Sequence, residues 1–154
     1  MLPKKTIEAM IRVNHAGEYG ALRIYEGQLK VLKNSSITAD LEHMLTQEKA
    51  HLKAFEAELK KHELPPTLLQ PLWDKVGFVL GVGSALLGKK AAMACTVAVE
   101  EVIDEHYASQ LRMLETEPAH NSLHTLIAQC HAEELEHRDR GLEKGAPKQT
   151  DIYL

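Results

Sequence analysis

The chain of 154 residues is poor in aromatic residues, in cysteine and in long apolar runs. Aromatic side chains make up 5% of it, and no alternating strand pattern stands out, so helical periodicity dominates. Cys95 and Cys130 each lie inside an apolar helical pattern, which predicts buried thiols rather than a disulfide. The net charge is −4 and there is no basic block, which removes nucleic acid from the expected partners.

The N-terminus has neither the apolar core of a signal peptide nor an Arg- and Ser-rich presequence. We therefore expect that the protein stays where it was made, or that a presequence is missing from this sequence.

The longest uncharged run covers 76–88 and is flanked by Trp73, Lys75, Lys89 and Lys90. As a helix it would be roughly 20 Å long, which is too short for a hydrocarbon core of about 30 Å. Two interpretations stay open. The run lies in a membrane surface with its tryptophan and lysines at headgroup level, or it is a crossover helix buried against the rest of the fold. Small residues at four-residue steps (Gly77, Gly81 and Ala85) would give it one smooth face.

Apolar residues at helical spacing predict long helices over about 5–33, 38–62, 90–115 and 119–144. The expected fold is all-α, in one domain. A first helical hairpin (5–62), an apolar crossover segment (64–88), a second hairpin (90–145) and a short tail (146–154) follow one another. The two hairpins would form a ferritin-like four-helix bundle, with an apolar crossover helix between them.

Two motifs give this bundle its chemistry. Glu134-x-x-His137 repeats the spacing of Glu48-x-x-His51, and residues three apart lie on one face of a helix. A further glutamate on the core-facing stripe precedes each motif, at separations of 48 − 18 = 30 and 134 − 100 = 34 residues. The matching order indicates an internal repeat of helical hairpins. The predicted set is Glu18, Glu48, His51, Glu100, Glu134 and His137.

Four carboxylates on core-facing positions need compensation, because an unpaired buried carboxylate costs several kcal/mol. Two divalent cations would neutralise them, and oxygen and imidazole donors suit iron or manganese. The competing interpretation places each glutamate at a helix edge, where it reaches water. Glu133 with His137 is an i, i+4 competitor for the second motif, and the spacing of Glu48 and His51 favours Glu134.

Four segments carry a resemblance to a known family: RVNHAGEYGA at 12–21, QEKAHL at 47–52, ACTVAVEE at 94–101 and EELEH at 133–137. Together with Pro71-Leu72-Trp73 and the glycine-rich run after it, they resemble the Coq7-type quinone monooxygenases, the demethoxyubiquinone hydroxylases of the ferritin-like superfamily. The resemblance covers about 8–145.

The resemblance implies a di-iron enzyme of ubiquinone biosynthesis. Such an enzyme hydroxylates the ring of a polyprenylated demethoxyubiquinol with O2 and with reducing equivalents from NADH. By matched position, the six residues of the predicted set would be the ligands of two iron ions. His106 and Tyr107 match a family pair near the substrate, while an ordinary core tyrosine is an equal interpretation of Tyr107.

The partners that the resemblance implies are a polyprenyl quinol, a membrane surface met through 73–90, a lipid-binding accessory protein and a second copy of the chain. The implied location is peripheral, on the inner face of the bacterial cytoplasmic membrane, or on the matrix side of the mitochondrial inner membrane if a presequence is missing. Family members continue into another apolar helix, whereas this sequence ends at Leu154. That departure affects the expectations for membrane binding, oligomerisation and stability.

Two other classes share parts of this pattern. A ferritin-like iron oxidation and storage protein would use the same ligands, although the uncharged run at 76–88 argues against a soluble cage subunit. A metal-free helical interaction module would use none of them.

Overall fold

The computed structural model describes residues 1–145, which form α-helices and no strand. The helices are α1 (Lys4–Val31), α2 (Thr38–Lys61), α3 (Gln70–Leu86), α4 (Lys89–Leu114) and α5 (Asn121–Glu143). A short 3-10 turn, Pro118–His120, precedes α5 and delays its start by two residues relative to the sequence prediction. The all-α prediction is confirmed, and the predicted tail at 146–154 lies outside the described residues.

Helices α1, α2, α4 and α5 form a four-helix bundle of the ferritin-like type. In it α1 contacts α2 and α4, and α5 contacts the same two helices. Side-chain pairs fix the directions: Asn14 bonds Gln110 and Tyr25 bonds Glu100, so α1 and α4 are antiparallel.

Two apolar clusters fill the interior, one toward each end of the bundle. The first includes Ile7, Ile11, Phe55, Leu59, Leu123 and Ile127. The second includes Tyr25, Leu41, Met44, Met93 and Val97. On α1, α2 and α4 the predicted ligands fall between these clusters in sequence, so they lie in the middle of the bundle, where apolar packing excludes water from both ends.

Helix α3 lies outside the bundle, along α1 and in the same direction. Gly77 faces the backbone of Gly20, and Gly81 faces the backbone of Ile24. The absence of side chains at these glycines lets the two backbones approach closely. Pro71 occupies the first turn of α3, where its missing N–H leaves no bond unmade.

The other side of α3 is exposed and apolar. Leu72, Val79, Leu86 and Leu87 are between 53% and 82% exposed. The helix therefore has a packed face and an apolar face open to its surroundings. Among the described residues, no helix is long and apolar enough to cross a membrane.

Candidate metal centre

The six predicted ligands meet in the middle of the bundle, and each is at most 4% exposed. One carboxylate comes from α1 and one from α4, and a carboxylate with an imidazole comes from each of α2 and α5. The i, i+3 spacing puts the two members of each Glu-x-x-His motif on one helix face, which turns both inward.

The ligand atoms form two overlapping groups. Glu18, Glu48, His51 and Glu134 make the first, which we call position 1. Glu48, Glu100, Glu134 and His137 make the second, which we call position 2. The candidate atoms of each group lie within 4.8 Å of one another. Glu48 and Glu134 belong to both positions, so they occupy the place of bridging carboxylates between two ions.

Both imidazoles turn Nδ1 toward the centre. His51 Nδ1 lies 2.9 Å from Glu134 Oε1 and 3.2 Å from Glu18 Oε2. His137 Nδ1 lies 3.1 Å from Glu134 Oε2 and 3.3 Å from Glu48 Oε1. Each position thus combines three carboxylates and one imidazole nitrogen.

Several of these buried atoms have no hydrogen-bond partner within the part of the chain that the structure describes. They are both carboxylate oxygens of Glu48, Oε2 of Glu100, Oε2 of Glu134 and Nδ1 of His137. Unpaired buried polar atoms are costly, and these face one another. Hard oxygen donors with one imidazole for each ion fit a pair of divalent iron or manganese ions.

Without an ion, protons must balance the charge. Burial and the neighbouring carboxylates raise the pKa of Glu48 and Glu100 well above the usual range. Burial disfavours the imidazolium of His51, but hydrogen bonds to Glu134 and Glu18 outweigh it and raise the pKa of His51 to about 11. Burial likewise disfavours the imidazolium of His137, but the nearby carboxylates of Glu100 and Glu134 outweigh it and raise the pKa of His137 to about 10. Divalent cations must therefore displace protons, and their affinity should rise with pH.

Two tyrosines cross the bundle to the outer carboxylates. Tyr25 donates to Glu100 at 2.6 Å, and Tyr107 donates to Glu18. Burial and the nearby carboxylates raise the pKa of both hydroxyls well above the ordinary value, so both stay protonated as donors.

The sequence pattern places Tyr25 only on an apolar stripe, and its hydrogen bond to Glu100 was not predicted. A signal for it exists, because Tyr25 is seven residues after Glu18 just as Tyr107 is seven after Glu100.

The outer nitrogen of each imidazole, Nε2, also has a hydrogen-bond partner that was not predicted from the sequence. His137 Nε2 donates to Gln47 Oε1 at 2.6 Å, and His51 Nε2 donates to the Glu133 carboxylate. Gln47, the partner of His137, directly precedes Glu48, and Glu133, the partner of His51, directly precedes Glu134. Glu133, the competitor for Glu134, therefore contacts the outer side of His51 and is 31% exposed, whereas Glu134 is fully buried.

His106 and Tyr107 separate in the structure. Tyr107 is buried and bonds Glu18, whereas His106 is exposed and accepts a hydrogen bond from Gln110 Nε2 at 2.8 Å. Gln110 also exchanges two hydrogen bonds with Asn14. This buried amide pair fixes the side of α4 on which His106 lies.

A groove of about 980 Å³ runs between α1, α3 and α4 beside the metal centre. Its lining is mostly apolar and includes Val13, Gly17, Ala21 and Ile24 from α1, Trp73, Val76 and Leu80 from α3, and Val99, Val102 and Ile103 from α4. Continuing this stripe of α4 by one turn beyond Val102 and Ile103 reaches His106. The volume suits a large apolar ligand.

Polar contacts hold α3 over this groove. Tyr19 donates to Asp74 at 2.8 Å, and Arg23 lies 3.0 Å from the same carboxylate. The Arg23 guanidinium also lies 4.7 Å from the ring centre of Phe78.

A closed crevice, without room for a water molecule, separates the groove from the metal centre. Ala21, Ile24 and Val99 line both, and Tyr25 and Glu100 line the inner end. The groove therefore approaches the centre at position 2, from the side of Glu100.

Comparisons with known proteins agree with this geometry. The family model described as "Ubiquinone biosynthesis protein COQ7" matches residues 5–153. A rat protein, "NADPH-dependent 3-demethoxyubiquinone 3-hydroxylase, mitochondrial", is 51% identical over 93% of this chain and 67% of its own. The "3-demethoxyubiquinol 3-hydroxylase" of Rhodospirillum rubrum is 49% identical over 94% of this chain and 68% of its own.

A more distant relative is the "5-demethoxyubiquinone hydroxylase, mitochondrial" of Saccharomyces cerevisiae, 39% identical over 89% of this chain and 65% of its own. The chain thus spans about two thirds of the length of these relatives. Their names support the quinone hydroxylase interpretation over the iron-storage alternative.

Proposed function

The chain belongs to the COQ7 family of ubiquinone biosynthesis proteins, and we propose that it is a di-iron monooxygenase that hydroxylates the ring of a polyprenylated demethoxyubiquinol. One observation carries the proposal beyond the family: two overlapping carboxylate and imidazole groups, buried in the bundle, lie beside a large apolar groove. The groove suits a quinol with an isoprenoid tail, and the two groups suit a pair of iron ions.

The reaction inserts one oxygen atom of O2 into a ring C–H bond, while two electrons and two protons reduce the other oxygen to water. Iron, when bound, would supply the activation of O2. Glu18, Glu48, His51 and Glu134 would hold it at position 1, and Glu48, Glu100, Glu134 and His137 at position 2.

The chain's own residues provide the conditions for this chemistry. The two apolar clusters keep water from the centre, which limits loss of the oxidant to side reactions. Tyr25 and Tyr107 donate hydrogen bonds that orient the outer carboxylates and disperse their charge. The groove wall formed by Ala21, Ile24 and Val99 places the substrate ring on the Glu100 side of the centre. His106, held by Gln110 near the outer groove, contacts the substrate in this proposal.

The source of electrons is a nicotinamide nucleotide in this proposal. The resemblance implied NADH, whereas the name of the rat relative specifies NADPH. An assay with each nucleotide decides between them.

We further propose that α3 docks on a membrane. Its exposed face combines large apolar side chains with Lys75, and the exposed lysines at 89 and 90 begin α4 directly after it, a composition typical of interfacial segments. Trp73, Val76 and Leu80 line the groove and are also exposed, so a tail could pass from lipid into the groove without crossing water. An accessory lipid-binding protein, a homo-oligomer and the side of the membrane stay predictions. The names of the rat and yeast relatives describe those two proteins as mitochondrial.

Charges on the outer face of α3 should weaken membrane binding. Val79→Glu with Leu86→Glu changes two exposed side chains that are outside the groove lining. We expect roughly tenfold weaker binding to vesicles of phosphatidylcholine and phosphatidylglycerol, because burying one such side chain is worth about 1.5 kcal/mol or more. Co-sedimentation measures it. Met113→Glu, a charge on an exposed apolar position of α4, is the matched control and should bind like the wild type. Equal loss in both variants would contradict docking through α3.

The function is tested by loading the chain anaerobically with Fe(II) and then adding O2, a reduced demethoxyubiquinone analogue and NADPH or NADH. We expect two iron ions per chain and a product one oxygen atom heavier, measured by mass spectrometry. Two bound metals with no hydroxylated product would favour another ferritin-like activity, and a large hollow assembly on size-exclusion chromatography would point to iron storage. Fewer than one ion per chain would favour the metal-free module.

A further inference from the structure

The two imidazoles of the centre are held from outside by different chemical groups. His51 Nε2 bonds a carboxylate, Glu133, whereas His137 Nε2 bonds a neutral amide, Gln47. Both contacts follow from the internal repeat. Gln47 comes one residue before Glu48, and Glu133 comes one residue before Glu134. Each therefore lies about 100° around its helix from a shared glutamate, beside the imidazole of the neighbouring helix.

The predicted ligands are matched between the two halves, although Cys130 also lies close to Glu18 and His51 at position 1. Each position has three carboxylates and one imidazole, and the two share Glu48 and Glu134. Each outer carboxylate accepts a hydrogen bond from a tyrosine of the other half. The partners on the outer nitrogens differ in charge, because Glu133 is a carboxylate and Gln47 a neutral amide.

That difference bears directly on metal binding. A carboxylate that accepts the outer N–H polarises the imidazole and makes its Nδ1 a stronger donor to a cation. It also adds a negative charge near the ion, which an amide does not. Glu133 is 31% exposed, so water screens part of its charge, but its hydrogen bond to the 4% exposed His51 is sheltered.

We propose that Glu133 makes position 1 the tighter of the two metal positions, and that Gln47 leaves position 2 the weaker one. The inference rests on the proposed di-metal site and assigns positioning roles to two residues outside the ligand set. It also gives the two positions separate tasks. The ion nearer Glu18 is retained more firmly, while the ion nearer Glu100, on the side of the groove, is the more exchangeable one.

The test is a titration of the metal-free chain with Mn²⁺, in which binding is measured by calorimetry and by the EPR signal of free Mn²⁺. The first bound ion repels the second, so two unequal steps in the wild type would arise even from equal positions. Variants with one position impaired remove this ambiguity. Glu100→Ala keeps the donors of position 1 and should bind one ion tightly. Glu18→Ala keeps the donors of position 2 and should bind one ion at least roughly tenfold more weakly. Changes in groups that hold a ligating imidazole typically alter metal affinity by this much.

Exchange of the outer partners then assigns the cause. In the Glu100→Ala background, Glu133→Gln should weaken Mn²⁺ binding by roughly 10- to 100-fold. In the Glu18→Ala background, Gln47→Glu should strengthen it by a similar factor. When Glu133→Gln and Gln47→Glu are combined, the order should reverse: position 2, measured in the Glu18→Ala background, should bind Mn²⁺ more tightly than position 1, measured in the Glu100→Ala background. Thermal melts of each metal-free variant check that the bundle still folds, and the gain expected from Gln47→Glu cannot come from misfolding.

The outcomes separate this inference from the function on which it rests. Equal affinities in Glu18→Ala and Glu100→Ala, unchanged by the exchanges, would overturn the inequality while leaving the di-metal site intact. No binding of Mn²⁺ or Fe(II) to the wild-type chain would remove the site itself and the inference with it. Turnover plays no part in this readout.

Discussion

Replacing Glu134 with alanine should abolish binding of both metal ions and, with it, hydroxylation. Glu134 is fully buried and lies in both positions, and it faces both imidazoles, at 2.9 Å from His51 and 3.1 Å from His137. The two nearby imidazoles outweigh burial and hold the pKa of Glu134 well below its usual range, so this carboxylate is ionised and ready to bind cations. Turnover should fall by several orders of magnitude, because typical enzymatic accelerations exceed about 10⁶-fold. Metal analysis and product mass measure the two losses.

Two comparisons make this result specific. Glu134→Gln keeps the size of the side chain and should lose the metals too, which separates loss of a ligand from loss of packing. Glu133→Ala removes a neighbour that contacts only the outer side of His51, so it should still bind two ions at saturating metal. If Glu133→Ala loses metal and turnover while Glu134→Ala keeps both, then the ligand assignment is shifted by one residue.

The sequence predicted the helices and their order well, because the helical period is written into the apolar residues of each helix. It also picked the six inward-facing carboxylate and imidazole residues, since the same spacing recurs in two hairpins. Both signals are local or repeated along the chain, and therefore one sequence is enough to detect them.

Contacts between helices were harder to predict. Tyr25 follows a stripe that any core tyrosine would follow, and its hydrogen bond to Glu100 depends on how α1 is aligned with α4. Gln47 and Glu133 each lie one residue away from a core-facing glutamate, where a polar residue normally faces water. The groove depends on the gap that α3 leaves against α1 and α4, which no single helix encodes.

The crossover segment shows why two interpretations stayed open. Gly77, Gly81 and Ala85 indicated a smooth face, and Trp73 with the flanking lysines indicated a membrane surface. In the structure one side of the helix is packed and the opposite side is apolar and exposed. A run of residues without charge could not separate them, because apolar side chains look alike whether they meet protein or lipid.

Replacing Gly81 with leucine should detach α3 from α1. A Cβ at this position would lie 2.1 Å from the carbonyl oxygen of Ile24 and 2.9 Å from its carbonyl carbon. These are backbone atoms, so no side chain can rotate away, and the helices must separate. We expect the free energy of unfolding to fall by about 3 kcal/mol, and the melting temperature by about 6 to 12 °C for a chain of this size. Thermal denaturation measures the change.

The location of the damage can be checked in the same variant. Helix α3 supplies none of the six predicted ligands, so Gly81→Leu should still bind two metal ions. Turnover should nevertheless fall, because Trp73, Val76 and Leu80 form one wall of the groove and move with α3. Gly83→Ala is the matched control on the same helix. Its Cβ meets nothing within 4 Å, and it should leave stability unchanged or raise it by about 0.5–1 kcal/mol. A Gly81→Leu chain that melts like Gly83→Ala would mean that α3 does not pack on α1 in solution, and the groove would then lose the wall on which substrate binding depends.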